Sequence, residues 1–228
     1  MDSFLADCIG YMGVETDASK TETLARFRDC VLETNKKFNL TAITDEREFY
    51  VKHIADSLAA VSEIPFGARL CDIGAGAGFP SFPIAVARRD VSVVALDSTA
   101  KKMNFLKDCA ATLDVGNLDT VIGRAEEQKS LFSTFDVVTA RAVSSLSVLL
   151  ELSMPLLKVG GKFIAYKTDE SELPSARNAL DALNAKHVST KNVTLPNGDR
   201  RAILVFEKTD KTPARFPRKY GAIKNSPL

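Results

Sequence analysis

The chain comprises 228 residues, 45% hydrophobic and 26% charged, with a formal net charge of +1; this ordinary globular composition excludes general disorder and suits one large domain that needs no metal or disulfide staple. No apolar run approaches about 18 residues, because Glu151 interrupts the most apolar stretch at 146–157, so no membrane span is expected. Four cysteines without a close pair and two histidines give no zinc-ligand pattern, and the acidic start (Asp2, Asp7) lacks the form of a secretion signal, so a cytoplasmic protein is expected.

The first segment reads as helical. Ser19 and Glu22 have the spacing of a capping box, and Leu24, Phe27, Val31 and Phe38 follow at helical steps. After a loop at 39–44, Ile54, Leu58 and Val61 mark a second amphipathic helix, stopped by Pro65 and Gly67. These helices precede the first strand and are expected to form a cap. From residue 69 strands alternate with helices: a strand at 69–73, a glycine-rich turn, and a helix through Arg88. A β-branched strand at 91–96 precedes a helix carrying Met103, Leu106, Ala110 and Leu113. Strands are expected at 118–122 and 135–140, then a helix over 145–157 ending near Gly160 and Gly161, then a strand at 162–166. A helix at 172–184 precedes runs at 187–195 and 201–207, joined by the turn Pro196-Asn197-Gly198-Asp199. The pattern predicts a mostly parallel sheet closed at one edge by an antiparallel hairpin, which suits a methyltransferase better than a dehydrogenase.

Charge is uneven along this layout. Residues 1–33 carry seven acids against three bases, and residues 208–224 carry six bases against one acid. A basic cluster of that kind either binds nucleic acid or serves as a solvated tail.

The densest chemical information lies at Asp72-Ile73-Gly74-Ala75-Gly76-Ala77-Gly78-Phe79-Pro80. A strand running into three alternate glycines and then a helix lets a ligand approach the backbone closely, at the carboxyl edge where open α/β sheets bind ligands. The G-x-G-x-G spacing departs from the G-x-G-x-x-G of dinucleotide sites and resembles the first motif of S-adenosylmethionine-dependent methyltransferases. Asp97, ending the second strand beside Ser98, is placed to accept hydrogen bonds from both hydroxyls of a ribose; the alternative is a helix cap. Gly123-Arg124-Ala125-Glu126 follows the third strand, where backbone groups would border an adenine.

After the fourth strand stands Val138-Thr139-Ala140-Arg141-Ala142. It lacks the Asn/Asp-Pro-Pro-aromatic run of exocyclic-amino methylases. Cys71 and Cys109 lie within a strand and a helix, so neither suits a thiolate nucleophile. No carboxylate cluster suggests metal-assisted chemistry. What remains is an acceptor with its own lone pair, such as guanine N7, for which orientation rather than a general base supplies catalysis. Arg141 is then a cation for the cofactor carboxylate or the nucleotide, or a structural ion pair.

With these residues in hand, the chain resembles the RsmG (GidB) family of bacterial 16S rRNA guanine-N7 methyltransferases. The resemblance rests on 35–43 (Asn-Lys-Lys-Phe-Asn-Leu-Thr-Ala-Ile), 53–58 (His-Ile-Ala-Asp-Ser-Leu), 72–83, Leu96-Asp97-Ser98, Lys101-Lys102, Phe105-Leu106, Arg141-Ala142, residues 215–221 and Pro227-Leu228. It implies an α/β fold, a Rossmann-like class I methyltransferase sheet with an N-terminal helical cap. It also implies methyl transfer from S-adenosyl-L-methionine to guanine N7 at position 527 (RNA numbering), in the 530 loop. Gly74, Phe79, Ala125, Glu126 and Arg141 match the family's cofactor positions, Asp97 and Ser98 its ribose side, and Asp72, Gly76 and Gly78 complete the loop. Asn39, Lys52, His53, Lys167, Arg215, Arg218 and Lys219 become candidates for RNA contact. Two departures stand out: Tyr166-Lys167-Thr168 where the family usually shows Lys-Gly, and Ser81 in place of a usual glycine.

The expected organisation is a cap at 1–66, a methyltransferase domain at 67–208 and a basic tail at 209–228. The expected partner is 16S rRNA or the small ribosomal subunit, bound by a monomer without metal or membrane. Methylation of another RNA or a small molecule, a nicotinamide-dependent oxidoreductase and a noncatalytic RNA-binding module are the alternatives.

Overall fold

A computed structural model describes residues 3–228; Met1 and Asp2, the latter part of the acidic start, lie outside the described residues. The first part is helical: α1 (Ser3–Tyr11), α2 (Ala18–Asn35), α3 (Glu46–Phe49), a π-helical turn (Tyr50–Ala55) and α4 (Asp56–Leu58). Alternation follows through β1 (Arg69–Ile73), α5 (Ser81–Ala87), β2 (Ser92–Asp97), α6 (Ala100–Thr112), β3 (Leu118–Ile122), β4 (Phe135–Arg141), α7 (Leu146–Ser153) and β5 (Leu157–Lys167). The chain closes with α8 (Arg177–Ala182), β6 (Ala185–Thr194), β7 (Arg200–Lys208) and α9 (Tyr220–Asn225).

The seven strands lie in the order β3-β2-β1-β4-β5-β7-β6. Strands β1 to β5 are parallel, while β7 runs antiparallel to both neighbours, the hairpin edge that the sequence predicts. Strand order reverses between β1 and β4, and the register there brings the carboxyl ends of β1, β2 and β3 level: Ile73 pairs with Leu96 and Asp97 with Ile122. Helices can leave a ligand crevice at such a reversal.

Both sheet faces are covered, as parallel strands this apolar require. One face packs under α2, α3, the π turn, α5 and α6 through Phe27, Phe49, Ile54, Phe82, Met103 and Leu106; Phe27 and Phe82 stack with centroids 3.7 Å apart. The other packs under α7, α8 and α9 through Leu146, Leu149, Phe163, Phe206 and Ile223. The N-terminal helices therefore share a core with the sheet.

Several boundaries differ from expectation for identifiable reasons. The cap of α2 is Asp17, whose Oδ1 accepts from the Lys20 amide at 2.8 Å; Ser19 already lies inside the helix. Helix α7 ends at Ser153, ahead of Pro155, and Gly160 and Gly161 fall inside β5. Its end is sealed by the buried Lys208, whose Nζ donates to the Met154 and Leu157 carbonyls at 2.8 Å each. The second helix is broken by a π turn that buries Tyr50, Val51, Ile54 and Ala55. The last segment, expected as a basic tail, is partly docked: Ile223 is fully buried and Arg218 is bonded to the buried Glu151.

Candidate functional site

The loop after β1 is tied to β2, because the Gly74 and Ala75 amides both donate to the Leu96 carbonyl, at 2.8 and 3.2 Å. Gly74, Gly76 and Gly78 all have positive φ, at +69°, +57° and +102°, which favours glycine over L side chains. Two of them are also sterically fixed. A Cβ on Gly74 would meet Val143 Cγ2 at 2.6 Å, and one on Gly78 would meet Leu106 Cδ1 at 2.6 Å. Gly76 alone of the three would meet nothing closer than the Gly74 carbonyl oxygen, at 3.9 Å, and its amide donates to Asp97 Oδ2 at 3.0 Å.

Gly74, Asp97, Ser98, Ala125 and Glu126, five of the predicted cofactor residues, line one cavity of about 180 Å³ at the carboxyl edge, together with Arg124, Val143 and Tyr220. Asp97 is oriented from two sides, accepting from Gly76 through Oδ2 and from the Thr99 amide through Oδ1 at 2.8 Å. A carboxylate has about four acceptor positions, so ribose binding and helix-start bonding coexist at Asp97. Glu126 is half-buried, and its Oε1 is buried with no hydrogen-bond partner among the described residues; burial also raises its pKa. An orphaned buried acceptor on a residue that lines the cavity calls for a donor that the protein itself does not supply. Open glycine backbone, a fixed carboxylate and an unpartnered acceptor together fit an adenosine-bearing cofactor.

Asp72 needs correction as a cavity residue. It is fully buried beneath the loop, where Oδ2 accepts from the Ser81 amide at 3.1 Å and Oδ1 from Thr139 Oγ1 at 3.0 Å. Burial pushes its pKa up to about 7 despite these bonds. It braces the start of α5 and does not face the ligand. Gly78 likewise turns towards α2 and α6.

Arg141 and Phe79 are not among the residues lining that cavity and belong to a second cluster. Arg141 Nη1 donates to Asp56 Oδ2 and to the Lys52 carbonyl, both at 2.8 Å, and its guanidinium lies 5.5 Å from the Phe79 ring centroid. Asp56, barely exposed, also accepts from Arg201 Nε at 3.0 Å. His53 stacks on Phe79 at 4.4 Å, with Nδ1 3.2 Å from Arg141 Nη2 and Nε2 2.7 Å from Thr41 Oγ1. A guanidinium only donates, so Nδ1 accepts and Nε2 carries the proton. Burial, reinforced by Arg141, lowers the His53 pKa to about 3. His53 is therefore neutral, which removes it as a phosphate-binding cation and makes it the link between the π turn and Arg141.

The remaining RNA candidates divide by what already holds them. Lys167 Nζ is bound to Glu172 at 2.7 Å and to the Ser144 carbonyl at 2.9 Å, and Arg218 to Glu151, so both cations are committed inside the fold. Lys52 is paired with Glu48 at the surface. Asn39, Arg215 and Lys219 are exposed, and no ion pair holds the latter two among the described residues. Sequence reasoning missed Arg201, the second partner of Asp56, and Tyr220 as part of the cavity. Glu151 carried a readable signal: an acid alone in the most apolar stretch implies a buried partner.

With this geometry in place, comparison with known proteins gives a consistent result. The family model described as rRNA small subunit methyltransferase G matches residues 20–203. A ribosomal RNA small subunit methyltransferase G from Streptococcus suis is 42% identical over 226 residues, covering 95% of this chain and 94% of the relative. Among solved structures, a SAM-dependent methyltransferase from Aquifex aeolicus superposes with a TM-score of 0.57 at 15% identity, covering 78% of this chain and 98% of that one. The [4+2]-cyclase SpnF superposes at 0.59 with 16% identity, covering 86% and 98%. These two likenesses show the Rossmann-like fold alone, and the cyclase illustrates that the fold does not dictate the reaction.

Proposed function

The chain belongs to the GidB family of small-subunit rRNA methyltransferases, and from that premise we propose that it methylates N7 of a guanine in 16S rRNA, at position 527 (RNA numbering) in the 530 loop. It is an S-adenosylmethionine-dependent enzyme acting on 16S rRNA. The observation that carries the reading within the molecule is the meeting of Gly74, Asp97, Ser98, Ala125 and Glu126 around one cavity at the strand-order reversal.

When bound, S-adenosylmethionine supplies a methyl group already activated on a sulfonium. Asp97 is the residue for the ribose hydroxyls, since its oxygens are held in place and keep acceptor capacity. Ser98, Ala125 and Glu126 border the adenosine side, and Gly76 leaves room for the ligand at the backbone. Arg141, two residues before the cavity residue Val143, is a cation whose direction is set by Asp56 and the Lys52 carbonyl. Phe79, stacked with His53, supports that side.

The side chains next to Arg141 favour an acceptor that brings its own lone pair. The His53 Nδ1 lone pair is taken by Arg141, and Asp72 is sealed beneath the loop, so neither is a base for an incoming nucleotide. Guanine N7 requires none. Rate then comes from alignment and exclusion of water. Asn39, Arg215 and Lys219 are the exposed candidates for RNA contact, and a monomer acting on rRNA or the small subunit is the simplest assembly. Mass spectrometry of 16S rRNA tests the proposal: cells lacking the protein should lose one N7-methylguanine, and the gene should restore it. Unchanged modification would contradict it.

A further inference from the structure

Tyr220 is half-buried and lines the same cavity as Gly74, Asp97, Ser98 and Glu126, although it comes from the last element of the chain. The Arg124 guanidinium lies 4.7 Å from its ring centroid. Its position is fixed from both sides. Two residues earlier, the Arg218 amide and guanidinium make four hydrogen bonds of 2.6–3.1 Å to Glu151, whose side chain is fully buried in α7. Three residues later, Ile223 is fully buried in the core beneath α7.

An aromatic ring held this way, beside a fixed carboxylate and the orphaned Glu126 acceptor, has the chemistry of an adenine contact: a flat apolar surface near groups that take ribose hydroxyls and an amino donor. We propose that Tyr220 is a cofactor-contacting residue, its ring forming a wall of the cavity against which the adenine of S-adenosylmethionine packs. The proposal rests on the assignment of this cavity to the cofactor. It gives the C-terminal segment a role in cofactor binding in addition to its basic charge, with the Arg218–Glu151 pair positioning the ring.

Calorimetric titration of the full chain with S-adenosylhomocysteine and with methylthioadenosine, which lacks the amino-acid end, tests this. Tyr220→Ala should weaken both ligands by a similar factor, roughly 5- to 150-fold as for base–aromatic contacts, and Tyr220→Phe should stay within about threefold of the parent. Tyr220→Leu, which keeps bulk without aromaticity, should also lose affinity and serves if the alanine variant folds poorly. Wild-type affinity in Tyr220→Ala or Tyr220→Leu, while Asp97→Ala loses binding, overturns the proposal and leaves the cavity assignment standing. A loss confined to S-adenosylhomocysteine also overturns it, because the contact would then lie at the amino-acid end. Failure of the parent protein to bind either ligand overturns the cavity assignment itself.

Discussion

Asp97 and His53 show how far single side chains can be read. Asp97 is held by the Gly76 and Thr99 amides, so Asp97→Ala should cost about 1.5–3 kcal/mol in cofactor binding, roughly 10- to 150-fold, measured by titration with S-adenosylhomocysteine. His53 yields a pH prediction. Its folded pKa of about 3 lies below the ordinary value of 6.5, so the unfolded chain takes up a proton first as pH falls. Its contribution is fully present above about pH 6.5 and is lost on descending towards pH 3. Urea unfolding of His53→Gln should show a flatter acid limb across that window, and an unchanged limb would deny that His53 is buried neutral. Asp97 stands out in the sequence as a carboxylate at a strand end, where a ribose contact and a helix start are both open uses, and the second is visible in its bond from the Thr99 amide. Asp72 and His53 were not legible, because their roles depend on Thr139 and Arg141, more than 60 residues away in sequence.

Elements were legible where their signals are local. Strands β1 and β3 and the Asn197-Gly198 turn follow directly from apolar runs and turn chemistry; Gly198 has φ +91° and the Asn197 side chain accepts from the Asp199 amide at 3.1 Å. Element ends set by distant partners were not legible: the seal on α7 comes from Lys208, over 50 residues downstream. The same holds for α9, which local charge alone describes as a tail. Its anchor is testable. Arg218→Met leaves Glu151 buried with only the backbone amide of residue 218 as a donor and no countercharge, a change that costs about 3–5 kcal/mol in comparable buried pairs. Arg218 is partly exposed, which places the loss at the lower end. Adding Glu151→Leu should recover most of the stability in denaturant titration, and an additive second loss would contradict the pairing.

At the scale of the molecule, the parallel sheet supplies a crevice at its strand reversal, and segments from both ends of the chain surround it. The N-terminal helical segment orients Arg141 through His53 and Asp56, and the C-terminal segment brings Tyr220 to the cavity while leaving Arg215 and Lys219 outside. Neutralising Arg215 and Lys219 together should weaken RNA binding and reduce the slope of affinity against salt, with cofactor affinity unchanged. A slope equal to the parent's would make them ordinary surface charge. The overall layout and the methyltransferase class were readable from the glycine spacing and the terminal hairpin. The packing of both ends onto one body was not, since it depends on contacts across the whole sequence.

In the proposed function, a methyl donor in this cavity passes its group to a ring nitrogen of rRNA. The direct measurement is transfer of labelled methyl from S-adenosylmethionine by the purified protein to small-subunit particles and to free 16S rRNA, followed by mapping the modified atom. A single N7-methylguanine in the 530 loop, formed more slowly by Asp97→Ala at limiting cofactor, is the expected result. Label on an exocyclic amine or a ring carbon, or none on either substrate, would contradict it.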